Sequence, residues 1–180
     1  MPFERSTLSR AELSQALEKA VYRPHKDIHK GRLLIAPEAY ASPGRETNLC
    51  VSPFARMDLT GSIRLGPWVM LGARSRIYTH DHVHMGRRPL LEVQEERGIL
   101  WQDKEICADV WIHDSALVLY QVTRIPEGVV LGAGAVLTKN PGPYEIWAGV
   151  PARKVGEREP LSADEIDRRL SGRTQFLLAP

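Results

Sequence analysis

The residues best suited to chemistry lie in one short run, Thr79-His-Asp-His-Val-His84, which holds three of the chain's six histidines. Alternate residues of an extended strand share a face, so His80, His82 and His84 would point the same way there. A neutral imidazole, with an ordinary pKa near 6.5, suits removal of a hydroxyl proton at neutral pH. Asp81 or a backbone carbonyl would orient the ring. A metal site and a merely polar loop root are the competing readings. The other histidines, His25, His29 and His113, lack a metal-ligand spacing, and no metal is expected. Cys50 and Cys107 stand too far apart for a metal or redox motif and read as small core hydrophobes.

The elements that must carry these histidines follow from a six-residue period. Leu59, Leu65, Leu71 and Ile77 are each six apart, as are Ile106, Ile112 and Val118. One extra residue intervenes before the step resumes at Ile125, Leu131 and Leu137. Four residues after the aliphatics come small or β-branched residues: Ile63, Val69, Ser75, Val110, Ala116, Val122, Val129 and Ala135. Glycine follows the aliphatic at 66, 72 and 132. The period is neither helical nor a plain alternation. It suits a chain that turns a corner every hexad, with glycine relaxing the backbone there. Three sides then close a coil of about 18 residues, and coils stack about 4.8 Å apart.

The hexads LGPWVM, LGARSR, ICADVW and LGAGAV resemble the hexapeptide-repeat acyltransferases, and the tail LGAGAVLTKNPGPYEIWAGVPARKVGER resembles the end of their sugar O-acetyltransferase branch. The resemblance spans about residues 49–158. It implies an all-β fold, a left-handed parallel β-helix assembled as a homotrimer with sites between subunits. It also implies acetyl transfer from acetyl-CoA to a hydroxyl of a sugar or polysaccharide-type acceptor. The family's catalytic histidine falls five residues after the leading aliphatic, which is His82; a one- or two-residue gap selects His80 or His84. His84 is otherwise a pocket residue. Asp58 matches an acidic residue facing the acceptor. Ala133 and Gly134 would let the pantetheine arm lie close, while Thr138, Lys139, Arg153 and Lys154 match or extend the cofactor contacts. His113 departs from the family's usual glycine and could narrow the donor site. The alternative function is a non-catalytic or metal-binding β-helix protein of the carbonic-anhydrase kind.

The flanks give three expected regions: a helical cap over 1–30, the β-helix over 31–158, and a helix and tail over 159–180. Ser9 and Glu12 form a capping-box pattern ahead of a helix near 10–21, and Ser162 and Glu165 repeat it ahead of one near 163–171. Both would cover open coil ends. Residues 83–104 break the period and read as an extruded binding loop, and irregular early coils are expected over 31–58. With 24 Lys and Arg against 22 Asp and Glu, the net charge of +2 argues against a nucleic-acid partner. No leader-like or bilayer-length apolar run is present, so no membrane span and a cytoplasmic location are expected.

Overall fold

A computed structural model describes residues 8–24, 31–40 and 46–171; His25 and His29 lie outside them. The hexads form three parallel faces joined by tight corners. The first face stacks Val21–Tyr22, Arg56–Asp58, Arg76–Ile77, Leu117–Val118 and Val136–Leu137. The second stacks Leu33–Ile35, Ile63–Leu65, Lys104–Ile106 and Arg124–Ile125. The third stacks Cys50–Val51, Met70–Leu71, Trp111–Ile112, Val130–Leu131 and Glu145–Gly149, and ends on the antiparallel Ala152–Glu157. The chain runs second, third, first, and repeats, as a parallel β-helix. The early coil over 31–58 follows this order too, with one turn of 3-10 helix at Pro37–Tyr40.

The parallel pairings between coils are in register, so each face sends one inward column through the stack; the antiparallel end of the third face shifts register between Ile146 and Trp147. On the first face it is Val21, Met57, Ile77, Val118 and Leu137. On the third it is Val51, Leu71, Ile112, Leu131 and Trp147. The residues four positions after the aliphatics are buried too, Val69, Ser75, Val110, Ala116, Val129 and Ala135 among them. Leu59 is buried, but Met57 holds the paired inward position on its strand.

The corner glycines have a different reason from the one expected. The left-handed backbone falls two residues further on, at Trp68, Arg74, Asp109, Ser115, Gly128 and Gly134. Gly66 and Gly72 instead sit where coils approach closely. A Cβ at Gly72 would lie 2.5 Å from the Asp114 nitrogen, and one at Gly66 would lie 2.7 Å from that of Ala108.

Helix α1 (Arg10–Ala20) is started by the Ser9–Glu12 capping box and buries Leu13, Leu17 and Ala20 against the first coil. Helix α3 (Ala163–Leu170) is capped by Ser162, whose hydroxyl accepts from Glu165 N, but it buries no residue among those described. Its expected role as a core-sealing cap is therefore not what its packing supports. The expected loop over 83–104 is an ordered arm. His80–His82 pairs antiparallel with Ile99–Trp101, and α2 (Leu90–Arg97) crosses its tip. Lys104 is already back in the second face, opposite Ile63.

Candidate active site

The first and second faces meet at an edge where the chain leaves Asp58 on one coil and Tyr78 on the next. Parallel register puts Met57 beside Ile77, so Asp58 comes under Thr79 and His80 as they turn towards the arm. Asp58 is fully buried. Its Oδ1 accepts from Thr60 N at 2.9 Å and Thr60 Oγ1 at 2.8 Å. Its Oδ2 accepts from Thr79 N at 3.0 Å, His80 N at 3.1 Å and the His80 ring Nδ1 at 2.5 Å. Thr79 Oγ1 lies 2.9 Å from both Oδ2 and the Asp58 carbonyl, and itself accepts from Gly61 N at 2.8 Å.

Burial alone would raise the Asp58 carboxyl. The bonds from His80, Thr60 and Thr79 outweigh it and hold the group below the usual carboxylate range. A carboxylate has no proton to donate, so Nδ1–H of His80 is the donor in the short contact. In the neutral ring, Nε2 then carries the lone pair. An imidazole fixed by a buried carboxylate through one nitrogen, with the other basic, is the arrangement a general base requires.

The remaining candidates separate by position. His82 follows on the same short strand, its ring centroid 5.5 Å from that of His80 and nearly perpendicular to it. His84 is exposed and its Nδ1 meets the His82 carbonyl at 2.9 Å. Asp81 accepts from His82 N at 2.8 Å rather than orienting a ring. Trp101, 42% exposed, pairs with His80 across the arm. Asp58, expected to face the acceptor, instead touches His80.

The cofactor candidates gather on later coils. Thr138 and Lys139 follow Leu137 as Tyr78 and Thr79 follow Ile77, at the same edge. The intervening strand Leu117–Val118 puts them two coil spacings from the histidine, or about 10 Å. Lys139 Nζ lies 5.4 Å from the centre of the Trp147 ring, a cation–π contact. Trp147 pairs with Lys154, and Arg153 with Ala148. Arg153 is exposed; Lys154 is held by Glu145 at 3.1 Å and by Glu157. Ala133 and Gly134 form the exposed corner after Leu131, and a Cβ on Gly134 would meet nothing within 4 Å. His113 stacks on Trp111 at 3.7 Å between ring centres. The described residues hold no cluster of three metal-ligating side chains.

Sequence reading missed Lys104. It is 4% exposed and takes the inward position that Leu33 and Ile63 hold on earlier coils. Its Nζ donates to the carbonyls of Leu119 at 2.9 Å, Tyr120 at 2.8 Å and Val122. These carbonyls belong to the corner enlarged by the extra residue, where that of Leu119 also accepts from Val122 N at 3.1 Å. Burial pushes the amine down to about 7, and the negative charge of Asp58 opposes that shift. Three carbonyls facing one nitrogen match the three N–H bonds of the ammonium form. The signal was a lysine two residues before a leading aliphatic, where the preceding coil has Ile63. Thr60, two residues after Asp58, was missed as well, although its N–H and hydroxyl both donate to Asp58 Oδ1.

No family model matches the chain. In sequence it is 25% identical, over 175 residues, to a chloramphenicol acetyltransferase of Morganella morganii; the match covers 92% of this chain and 78% of that protein. In structure it is similar to a hexapeptide-repeat-containing acetyltransferase of Vibrio cholerae, complexed with acetyl-CoA. The TM-score is 0.53 at 18% identity, over 86% of this chain and 80% of that one. A maltose O-acetyltransferase of Clostridium difficile gives a TM-score of 0.52 at 18% identity, over 87% and 79%. The class these likenesses define is one of architecture: the chain has the fold of the hexapeptide-repeat acetyltransferases.

Proposed function

We propose that the protein is an acetyl-CoA-dependent O-acetyltransferase acting on a hydroxyl of a sugar-type acceptor, with His80 as general base. The observation that carries this is the 2.5 Å contact between His80 Nδ1 and the buried Asp58. The sequence likeness to an acetyltransferase and the shared fold agree with it.

In this reading His80 Nε2 takes the acceptor hydroxyl proton as the oxygen attacks the thioester carbonyl. The Asp58 carboxylate steadies the imidazolium that forms. The C–S bond then breaks, and the proton passes from Nε2 to the departing CoA thiolate. His82, the histidine selected by ungapped register, sits beside the reacting pair as a pocket residue. Thr138, Lys139 and Arg153 bind the donor, with Ala133 and Gly134 leaving room for its arm. Lys154, already engaged by two carboxylates, contributes less. His113 packs against Trp111, which draws its ring back along the third face.

A left-handed coil and a homotrimer with shared sites belong to the same reading. The trimer is supported by the outward column of the third face, Cys50, Met70, Trp111, Val130 and Ile146, an apolar ladder suited to a second copy. A cytoplasmic enzyme drawing on the acetyl-CoA pool completes it. Release of CoA thiol from acetyl-CoA over a panel of sugars tests the activity. No release with any acceptor, together with no acetyl-CoA binding by calorimetry, overturns it.

A further inference from the structure

The outer surface of the first face holds a second feature, upstream of His80 along the same strands. Arg56 and Arg76 stand directly opposite each other on adjacent parallel strands. Like charges so placed repel, and the pair destabilises the sheet unless something neutralises it. Among the described residues neither arginine is ion-paired with a carboxylate. Arg76 Nη1 reaches the Tyr78 hydroxyl at 3.4 Å, and Arg56 Nη1 donates to the Lys19 carbonyl at the end of α1. Each guanidinium carries five N–H donors, so these single contacts leave most of its donor capacity for a ligand.

The two arginines line a cleft of about 460 Å³ with Tyr22, Ile77 and Tyr78, and no acidic residue lines it. That volume lies in the range of small-molecule sites. The reacting pair does not line the cleft but lies beyond its Tyr22 and Tyr78 end. Asp58 lies two residues beyond Arg56, or about 7 Å along an extended strand, and His80 lies two beyond Tyr78. Tyr22, on the other side, pairs with Asp58. A ligand seated on the arginines would therefore extend its far end along the strands towards His80.

We propose that Arg56 and Arg76 bind an anionic group on the acceptor, so that the preferred substrate is an acidic sugar rather than a neutral one. This rests on the acetyltransferase reading above. A planar guanidinium pair matches carboxylate or phosphate oxygens through forked hydrogen bonds.

The test compares glucose, glucuronate and glucose 6-phosphate as acceptors, with the wild type and the Arg56→Gln/Arg76→Gln double variant. Both arginines are exposed, and removing their repulsion should leave the thermal midpoint of the variant at or slightly above that of the wild type. An acidic acceptor should exceed glucose at least tenfold in kcat/KM, and the variant should lose that preference through KM, with KM for acetyl-CoA unchanged. A preference for glucuronate, for glucose 6-phosphate, or for both upholds the proposal and shows which anions the arginines accept. Equal use of all three sugars overturns the proposal and leaves the activity standing. A raised KM for acetyl-CoA in the variant also overturns it, since the arginines would then serve the donor. Should no sugar accept acetyl, calorimetry with glucuronate and glucose 6-phosphate still decides. Binding of either that the variant loses upholds the anion site apart from the activity, and binding of neither overturns it.

Discussion

Most corners of the coil and the corner at Asp58 solve the same geometrical problem in opposite ways. At the regular corners, the interior receives an aliphatic such as Leu71 or Ile112, and a small residue such as Ser75 or Ala116 fills the bend. Backbone groups pair between coils and almost nothing polar is left inside. At the edge of the first and second faces, Asp58, Thr60, Thr79 and Lys104 are all buried. A buried carboxylate costs free energy unless its oxygens are fully bonded, and here threonines, backbone amides and an imidazole bond them. The regular corners stabilise the molecule; the polar one holds a ring in a fixed orientation. The two kinds of corner should therefore respond oppositely to substitution.

The widest separation is expected at Asp58. Asp58→Asn keeps the size of the side chain but gives its amide a competing donor towards Nδ1. Turnover should fall about 10³- to 10⁴-fold, measured as CoA release, while circular dichroism retains the β-helix spectrum. At a regular corner the order reverses. Ile112→Ala should cost about 2–5 kcal/mol in denaturant unfolding, with activity per folded molecule close to that of the wild type. Lys104→Met lies between them. It removes the ammonium from the enlarged corner, where the Leu119 carbonyl keeps its bond from Val122 N but those of Tyr120 and Val122 lose the Lys104 donor, at about 1–3 kcal/mol, and it shifts turnover modestly because the charge opposing Asp58 is lost.

Smaller effects sharpen the contrast. Lys139→Ala and Arg153→Ala should each raise KM for acetyl-CoA about tenfold, the scale of one charge-assisted contact, and leave KM for the acceptor unchanged. The pH dependence of stability follows from the Asp58 carboxyl, which the fold holds below its unfolded value. Its contribution is present above the unfolded pKa and is lost as pH falls through the folded one. Acid titration of the thermal midpoint should show that loss in the wild type and a flatter curve in Asp58→Asn.

The regular corners were legible in the sequence and the polar one only partly so. Period six fixes which residues point inward, because each hexad repeats one backbone shape; hence the columns through Leu71 and Ile112 follow from spacing. The helices at Arg10–Ala20 and Ala163–Leu170 were legible from Ser9 and Ser162 as caps. The Asp58–His80 contact was not, because it joins residues 22 apart in the chain, and their meeting depends on which strand stacks on which. Nor was Lys104, since a lysine inside a prism contradicts the pattern that identifies the interior. The role of Gly66 and Gly72 was misread for a related reason: close approach between coils is a property of the stack and not of one corner.

The most direct test of the Asp58-held base is the pair of variants His80→Ala and His82→Ala, each assayed for acetyl-CoA-dependent transfer at saturating donor. With His80 as the base, His80→Ala loses about 10²- to 10⁴-fold in kcat, and His82→Ala keeps turnover within about tenfold of the wild type. Near-normal turnover in His80→Ala together with its loss in His82→Ala would contradict this, and would make the buried Asp58–His80 pair a structural support for a base at His82.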